Sequence, residues 1–322
     1  MAFQTGIVDA LDPLRLRLLV EVQRRGSISA AAEACRVSQP SATKHLKTVE
    51  AALGEKLVER NGRASALTDA GRIVAAHAAR ALDTLDGMSE ELDALRGAER
   101  GRLALAASTT PGTYVLPSIL QCFADRHPRV EVEVMIGSST WVAERVARRE
   151  VSLALAGEVD WPDGVRPEPF LEDEVVGISA PGQLRLRRGK ASASELADHT
   201  LLTREPGSSS QGIAERSLAR TGYRPAKRWE LDSNEAIKRS VQAGLGVGFV
   251  SRLAVEEELE RGELVAFRVD GAGSMRRSVH LLLPDDRDST PSERAFIATL
   301  SDCCAVSVAG CTVDTGTREA GC

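Results

Sequence analysis

Between Ser38 and Lys47 the chain sets amide, hydroxyl, ammonium and imidazole groups at spacings that share one helix face. Ser38 can cap a helix starting near Gln39, and Pro40 falls in its first turn, where a missing backbone N–H does no harm. Ala42, Leu46, Val49 and Leu53 recur at helical spacing and turn inward, which leaves Gln39, Ser41, Thr43, Lys44, His45 and Lys47 outward. Those types suit the major groove of double-stranded DNA. Glutamine pairs with adenine edges, lysine with guanine edges or phosphate, and serine or threonine with either. With Ser38 and Pro40 at its start, this face is the candidate DNA-reading surface.

The elements that must position it are legible nearby. Ser29 is a good N-cap for a preceding, supporting helix, whose small Ala30, Ala31, Ala32 and Ala34 allow two helices to cross closely. Cys35, Arg36 and Val37 make the turn between the two, and Gly54 stops the second. From Lys56 to Leu67 an Asn61-Gly62 dipeptide signals a hairpin, flanked by Arg60 and Arg63, two side chains able to grip backbone phosphate. A helix-turn-helix with a basic wing is the resulting expectation. An alanine-rich helical hairpin with a solvated basic face is the bland alternative. Caps, turn, periodicity and hairpin all agree, and that agreement favours the DNA reading.

With 322 residues and 43% hydrophobic side chains the chain can build two or three domains, and 3% aromatics makes their cores aliphatic. The net charge of −5 is unevenly spread. Residues 1–70 hold ten basic and eight acidic side chains, a balance of +2, which leaves −7 for the remainder. No apolar run reaches the roughly 18 residues of a membrane span, and the N-terminus lacks a signal-peptide pattern. A cytoplasmic protein with no membrane partner is expected.

Arg72 to Ala98 is a long stretch without proline. Ala78, Leu85 and Leu92 alternate with Val74, Ala81, Met88 and Leu95 at heptad spacing, the mark of a two-helix interface and hence a homodimer. The alternative is an amphipathic helix packed on its own domain. A dimer would place two recognition helices about one DNA turn apart, or a multiple of it.

From Gly101 strands alternate with helices. Strands are expected at Arg102 to Ala107, Val130 to Ile136 and Leu153 to Ala156, and helices at Gly112 to Arg126 and Trp141 to Arg149. Such alternation reads as a mostly parallel sheet flanked by helices. A second unit begins at Val175 to Ser179, with strands near Leu201-Leu202 and Val247 to Val250, and Val279 to Leu283 can return to the first. A ligand would lie between the two lobes, beyond the C-terminal ends of strands. Polar turns stand there: Ser108-Thr109-Thr110, Ser138-Ser139-Thr140, Thr203 to Ser210 with Arg204 and Ser208, and Ser233-Asn234-Glu235. Hydroxyls and free N–H groups at helix starts suit a small anionic or strongly polar effector. Serine and threonine are also ordinary caps, so each turn alone reads as structural.

Catalytic and cofactor chemistry finds little support. His45, His77, His127, His199 and His280 are scattered without metal-ligand spacing, so neither a metal site nor an enzyme is expected. Gly244-Leu245-Gly246-Val247-Gly248 precedes a strand-like run where a nucleotide loop would open a helix, and Asp285-Asp286 looks solvated. No cofactor is implied. Cys35 and Cys122 read as buried small residues, while Cys303, Cys304, Cys311 and Cys322 crowd a terminal segment, residues 302–322, expected to be disordered.

Several of these segments together resemble the LysR-type transcriptional regulators. The matching residues are Leu14 to Arg25, Gly26-Ser27-Ile28-Ser29, Ala31-Ala32-Glu33, Val37-Ser38-Gln39-Pro40-Ser41, Leu46, Glu50, Leu53-Gly54, Leu57-Val58-Glu59-Arg60 and Leu67 to Gly71. Lys44, His45 and Val58 depart from the Arg, Gln and Phe frequent at those positions, and Arg and Lys are not interchangeable at a bidentate base contact. The resemblance implies an α/β protein. It would carry an N-terminal winged helix-turn-helix (residues 1–71), a long linker and dimerisation helix (72–98), and a two-lobed effector domain like periplasmic binding proteins (101–300, second lobe about 176–277). It also implies homodimers or tetramers, contact with RNA polymerase, and effector contacts at Ser108, Thr109, Thr110, Thr140, Thr203, Arg204 and Ser208. Ala107 to Pro117 and Arg204 to Ser208 look most like the sulfur-assimilation and carbon-fixation branch. The rival reading is a small-molecule-binding protein whose N-terminal helices only dimerise it.

Overall fold

The computed structural model describes residues 10–61, 64–95, 100–285 and 289–310. The chain divides into two compact units, one of residues 1–100 with 145–152 and one of residues 101–144 with 153–322. The first begins with α1 (Pro13–Arg25), started by Asp12, whose carboxylate accepts from the Arg15 N–H at 2.9 Å, and ended by Gly26 at φ 62°. The supporting helix α2 (Ile28–Ala34) is capped by Ser27 rather than Ser29. Ser27 holds the extended backbone an N-cap requires and accepts from the Ala30 N–H, which leaves Ser29 already inside the first turn.

Helix α3 (Gln39–Leu53) has the expected start and stop: the Ser38 hydroxyl accepts from the Ser41 N–H and Gly54 adopts φ 72°. Its Ala42, Leu46 and Val49 are buried with Leu18, Leu19, Val22 and Ala31 in one aliphatic core. Strands β1 (Val58–Asn61) and β2 (Ala64–Leu67) form the wing, paired antiparallel with Asn61 opposite Ala64. Glu50 ties this hairpin to α3 by accepting from the Leu57 and Val58 N–H groups at 2.8 and 3.2 Å.

The long helix α4 (Asp69–Leu95) starts three residues before Arg72, because Thr68 Oγ1 accepts from the Gly71 N–H and supplies the cap. Gly71 cannot carry a side chain, since a Cβ would fall 2.0 Å from the Leu57 carbonyl oxygen. Only half of the expected seam is unpartnered. Val74 and Ala75 pack on the unit's own core and Ala78, Ala79 and Leu82 are buried, whereas Leu85, Met88 and Leu92 are exposed. The Leu95 side chain lies outside the described residues.

The second unit carries a ten-stranded mixed sheet with strand order β4-β3-β5-β12-β6-β10-β8-β9, and β11 paired to β6 and β7. Its elements are β3 (Gly101–Ser108), α5 (Thr109–Tyr114), α6 (Leu116–Arg126), β4 (Val130–Gly137), α7 (Ser139–Ala147, its last three residues counted with the first unit), β5 (Leu153–Gly157) and β6 (Val165–Ser179). There follow β7 (Lys190–Ala191), α8 (Ala193–Ala197), β8 (Thr200–Thr203), α9 (Ser209–Ala219), β9 (Lys227–Glu230) and α10 (Asn234–Gln242). The unit closes with β10 (Val247–Ser251), α11 (Glu256–Glu260), β11 (Val265–Val269), β12 (Arg276–Pro284) and α12 (Pro291–Gly310). Parallel β4-β3-β5 make the first lobe and parallel β10-β8-β9 the second. The long antiparallel pair β6 and β12 runs between them, so β12 does return to the first lobe.

Local chemistry explains the departures from expectation. The single helix expected from Gly112 is two, broken at Val115, because Pro117 lacks the N–H a continuous ladder would need. Trp141 lies inside α7, which starts at Ser139. The terminal segment is not irregular from Asp302 onward. Phe296 and Leu300 are buried in the first-lobe core, Phe296 meeting Phe123 edge-on at 5.4 Å, and Arg126 pairs with Asp302 at 2.7 Å, which anchors the first half of α12; the helix itself runs to Gly310. The rest of the expected tail, with Cys311 and Cys322, lies outside the described residues. Cys35 and Cys122 are half-buried rather than buried, Cys35 serving as the C-cap of α2.

Candidate effector cleft and DNA-reading face

In the second unit, a narrow polar cleft lies where the C-terminal ends of β3 and β4 meet the turn after β8, with part of β12 completing its wall. Ser108, Thr109, Thr110, Arg204 and Ser208 line it, as expected from sequence. Their hydrogen bonds differ in kind. Thr109 Oγ1 donates to the Gly137 carbonyl at 3.3 Å and accepts from Arg204 Nη2 at 3.2 Å, and Thr110 Oγ1 accepts from Asn234 Nδ2 at 3.3 Å. These bonds join the two lobes. Thr140 stands at the rim, its N–H and hydroxyl both directed at the Gly207 carbonyl. Thr203 is not brought to the cleft; it is buried and donates to the Trp229 carbonyl of the neighbouring strand.

Arg204 is buried and heavily committed. Its Nε and Nη2 hold the Glu205 carboxylate at 2.7 and 2.8 Å, and Nη1 donates to Asn234 Oδ1. A second arginine at the cleft, Arg277, is as deeply buried, with Nε and Nη2 each 2.8 Å from Asp173 Oδ2 while Ser251 donates to Asp173 Oδ1 at 2.9 Å. Neither Arg277 nor Asp173 stands out by type. Their signal is strand alternation, which puts Arg277 in step with the buried Val279 and Asp173 in step with the buried Val175. Two opposite charges at inward positions need each other.

A polar link lies beside the cleft. Lys238 Nζ sits 2.7 Å from Glu258 Oε1 and 3.0 Å from Glu235 Oε2, and 5.5 Å from the centre of the Tyr114 ring on α5. Burial pulls the Lys238 ammonium down, but its hydrogen bonds to the two carboxylates outweigh that and hold it above its ordinary range. Burial likewise pushes the Tyr114 hydroxyl up against the pull of Lys238. Residue types three apart on one helix gave a hint of the Glu235 pair; nothing in the sequence pointed to Glu258 or Tyr114.

On the first unit, Pro40, Thr43, Lys44 and Lys47 line one shallow groove along α3, with Thr48 and Ala51, two residues the sequence reading missed. Gln39 and Lys44 are exposed. Ser38 spends its hydroxyl on the helix cap, Thr43 donates to the Gln39 carbonyl at 3.0 Å, and His45 Nδ1 receives Arg15 Nε at 3.4 Å. Arg60 lies on β1, and Arg63 falls outside the described residues.

Residues 14–72 match the family model described as bacterial regulatory helix-turn-helix protein, lysR family, and residues 96–305 match the LysR substrate binding domain. The chain belongs to the LysR family. As a LysR-type regulator it pairs a DNA-binding domain with an effector-binding domain, and the match over residues 14–72 sets aside the rival in which the N-terminal helices only dimerise. A probable RuBisCO transcriptional regulator of Trieres chinensis is 32% identical over 257 residues, covering 76% of this chain and 82% of that one. The regulator CysL of Bacillus subtilis is 28% identical over 286 residues, covering 88% and 95%. Both agree with the carbon-fixation and sulfur branch. A full-length OxyR variant from Pseudomonas aeruginosa shares the fold, with a TM-score of 0.69 at 22% identity over 91% of this chain and 97% of that one. No described helix is long and apolar enough to cross a membrane.

Proposed function

We propose that this LysR-type regulator binds its operator as a homodimer, or as a tetramer built from two such dimers, and reports a small anionic effector held between the two lobes without turning it over. The observation that carries the anionic reading is the start of α9. Ser27, Ser38, Ser192 and Ser233 each cap their helices through the side chain, but Ser208 makes no such bond, so the first-turn N–H groups of the eleven-residue α9 receive no side-chain cap at the cleft. Uncapped N–H groups and the positive end of a helix favour a negatively charged ligand.

Ser108, Thr109, Thr110, Thr140 and Ser208 are the proposed effector contacts, with Arg204 shaping the wall and Thr203 holding β8 to β9 behind it. Gln39, Ser41, Thr43, Lys44, His45 and Lys47 would read bases, Ser38 and Pro40 would set the helix start, and Arg60 and Arg63 would hold phosphate. The exposed Leu85, Met88 and Leu92 supply a dimer seam on α4. The family's mode of action adds RNA polymerase as partner and the cytoplasm as its place. Because Thr109 bonds both lobes, Thr109→Val should abolish the change in operator affinity caused by small anions while leaving basal DNA binding intact. Fluorescence anisotropy on operator DNA measures both, and a normal anion response in the variant would remove Thr109 from the site.

A further inference from the structure

We propose that the effector's acid group is received by Arg277 and Ser209, which converge at Gly157, and not by Arg204; this rests on the reading of the cleft as the effector site. Arg204 has little left to offer. Its Nε, Nη1 and Nη2 already donate to Glu205, Asn234 and Thr109, so the guanidinium that the sequence advertised is used in holding the lobes.

Arg277 is placed differently. Its side chain is 3% exposed, and the Asp173 carboxylate, itself fixed by Ser251, takes only the Nε and Nη2 edge. The Nη1 end keeps its two N–H groups at the cleft wall. Ser209 adds a second unspent group: it is buried, and its hydroxyl has no hydrogen-bond partner among the described residues. Buried polar groups are nearly always paired, so such an orphan in a cleft points to a missing ligand atom.

Gly157 shows that the two groups converge. A Cβ there would stand 2.7 Å from Arg277 Nη1 and 2.8 Å from Ser209 Oγ, so both side chains abut the Gly157 backbone at the C-terminal end of β5, and only glycine lets them approach. Nearby, Ser108 Oγ accepts from the Gly157 N–H at 3.3 Å. Guanidinium N–H groups, a hydroxyl and the uncapped start of α9 form a set of donors, which suits an acceptor-only oxyanion: a carboxylate, sulfate or phosphate. Gly157 belongs to the first lobe and Ser209 to the second, so an oxyanion bridging the Arg277 and Ser209 donors beside Gly157 would tie the lobes together.

The test is titration calorimetry of the full-length protein with acetate, malonate, citrate, sulfate and inorganic phosphate at millimolar concentrations, alongside thermal melts. At least one anion should bind the wild type, and Ser209→Ala should weaken it by about tenfold or more, as loss of a hydrogen bond to a charged group implies. The ligand-free melting temperature of Ser209→Ala should be unchanged or higher, since alanine removes an unpaired hydroxyl. Arg277→Lys, which keeps the charge opposite Asp173 but loses the planar fork, should weaken the same anion. Undiminished binding by Ser209→Ala, or a fall in its ligand-free stability that accounts for the lost affinity, would overturn the assignment. If Thr109→Val loses the anion while Ser209→Ala keeps it, the cleft remains the effector site and only this inference falls. If no anion binds the wild type, both fall.

Discussion

Replacing Lys238 by methionine separates the worth of a buried ion pair from that of an exposed one on the same side chain. Lys238 is 6% exposed, its partner Glu258 13%, and its other partner Glu235 52%. The Glu235 contact, open to water, is worth about 0.3 kcal/mol. The Glu258 contact is shielded, and a hydrogen bond between charged groups in such a place contributes about 1.5 to 3 kcal/mol. Methionine keeps the aliphatic packing but strands the Glu258 carboxylate, so Lys238→Met should cost about 2 kcal/mol. For a unit of this size about 2 to 4 °C accompanies each kcal/mol, so its melting temperature should drop by about 4 to 8 °C. Glu258→Gln should cost most of this and Glu235→Gln almost none, while Lys238→Met with Glu258→Leu should recover much of the loss. Trp141, Trp161 and Trp229 are the chain's three tryptophans and all lie in the second unit, so their fluorescence in urea follows that unit alone. Equal costs at Glu235 and Glu258, or a Lys238→Met loss below about 0.5 kcal/mol, would mean that burial does not strengthen the Lys238–Glu258 pair.

The same cluster sets a pH dependence. Lys238 titrates above its ordinary 10.5 in the folded protein, so its contribution is intact below pH 10.5 and is lost as pH rises through the folded value. Glu235, held below its ordinary 4.5 chiefly by its hydrogen bond to Lys238, contributes above pH 4.5 and loses that contribution as pH falls through its folded value. The stability gap between wild type and Lys238→Met should therefore be flat between these limits and narrow beyond them; a gap that changes near neutrality contradicts the assignment. Gln39→Ala should reduce discrimination between operator and mutated sites by about 1 to 3 kcal/mol in competition binding, and unchanged selectivity would take Gln39 off the base edges. Glutamates at Leu85 and Leu92 together should shift sedimentation toward monomer, and an unaltered dimer would place the interface elsewhere.

The recognition helix was legible because its signals are local: Ser38, Pro40 and Gly54 act on their own backbone, and Ala42, Leu46 and Val49 need only helical spacing. Ser27 was missed for Ser29 because two serines two residues apart offer the same side chain, and only the backbone decides which stands outside the helix. The linker helix showed its period but not its partner. Val74 meets the unit's own core and Ala78 is buried, while Leu85, Met88 and Leu92 are exposed, a distinction made by tertiary packing. In the cleft, threonines and serines after strands were readable as helix starts, yet Thr203 turned to its neighbouring strand and Arg204 to Glu205 and Asn234. Arg277 escaped notice because its meaning depends on Asp173, 104 residues earlier in the chain.

In the proposed mechanism, anion binding in the cleft alters operator recognition by the N-terminal domain. Fluorescence anisotropy of the full-length protein on duplex DNA from upstream of its own gene and its divergent neighbour, against a shuffled duplex at near-physiological salt, tests it with and without added anions. The prediction is a large preference for the native sequence that at least one anion changes in the wild type and that no anion changes in Thr109→Val. Equal weak binding to native and shuffled DNA, with no preference created by any anion, would contradict it.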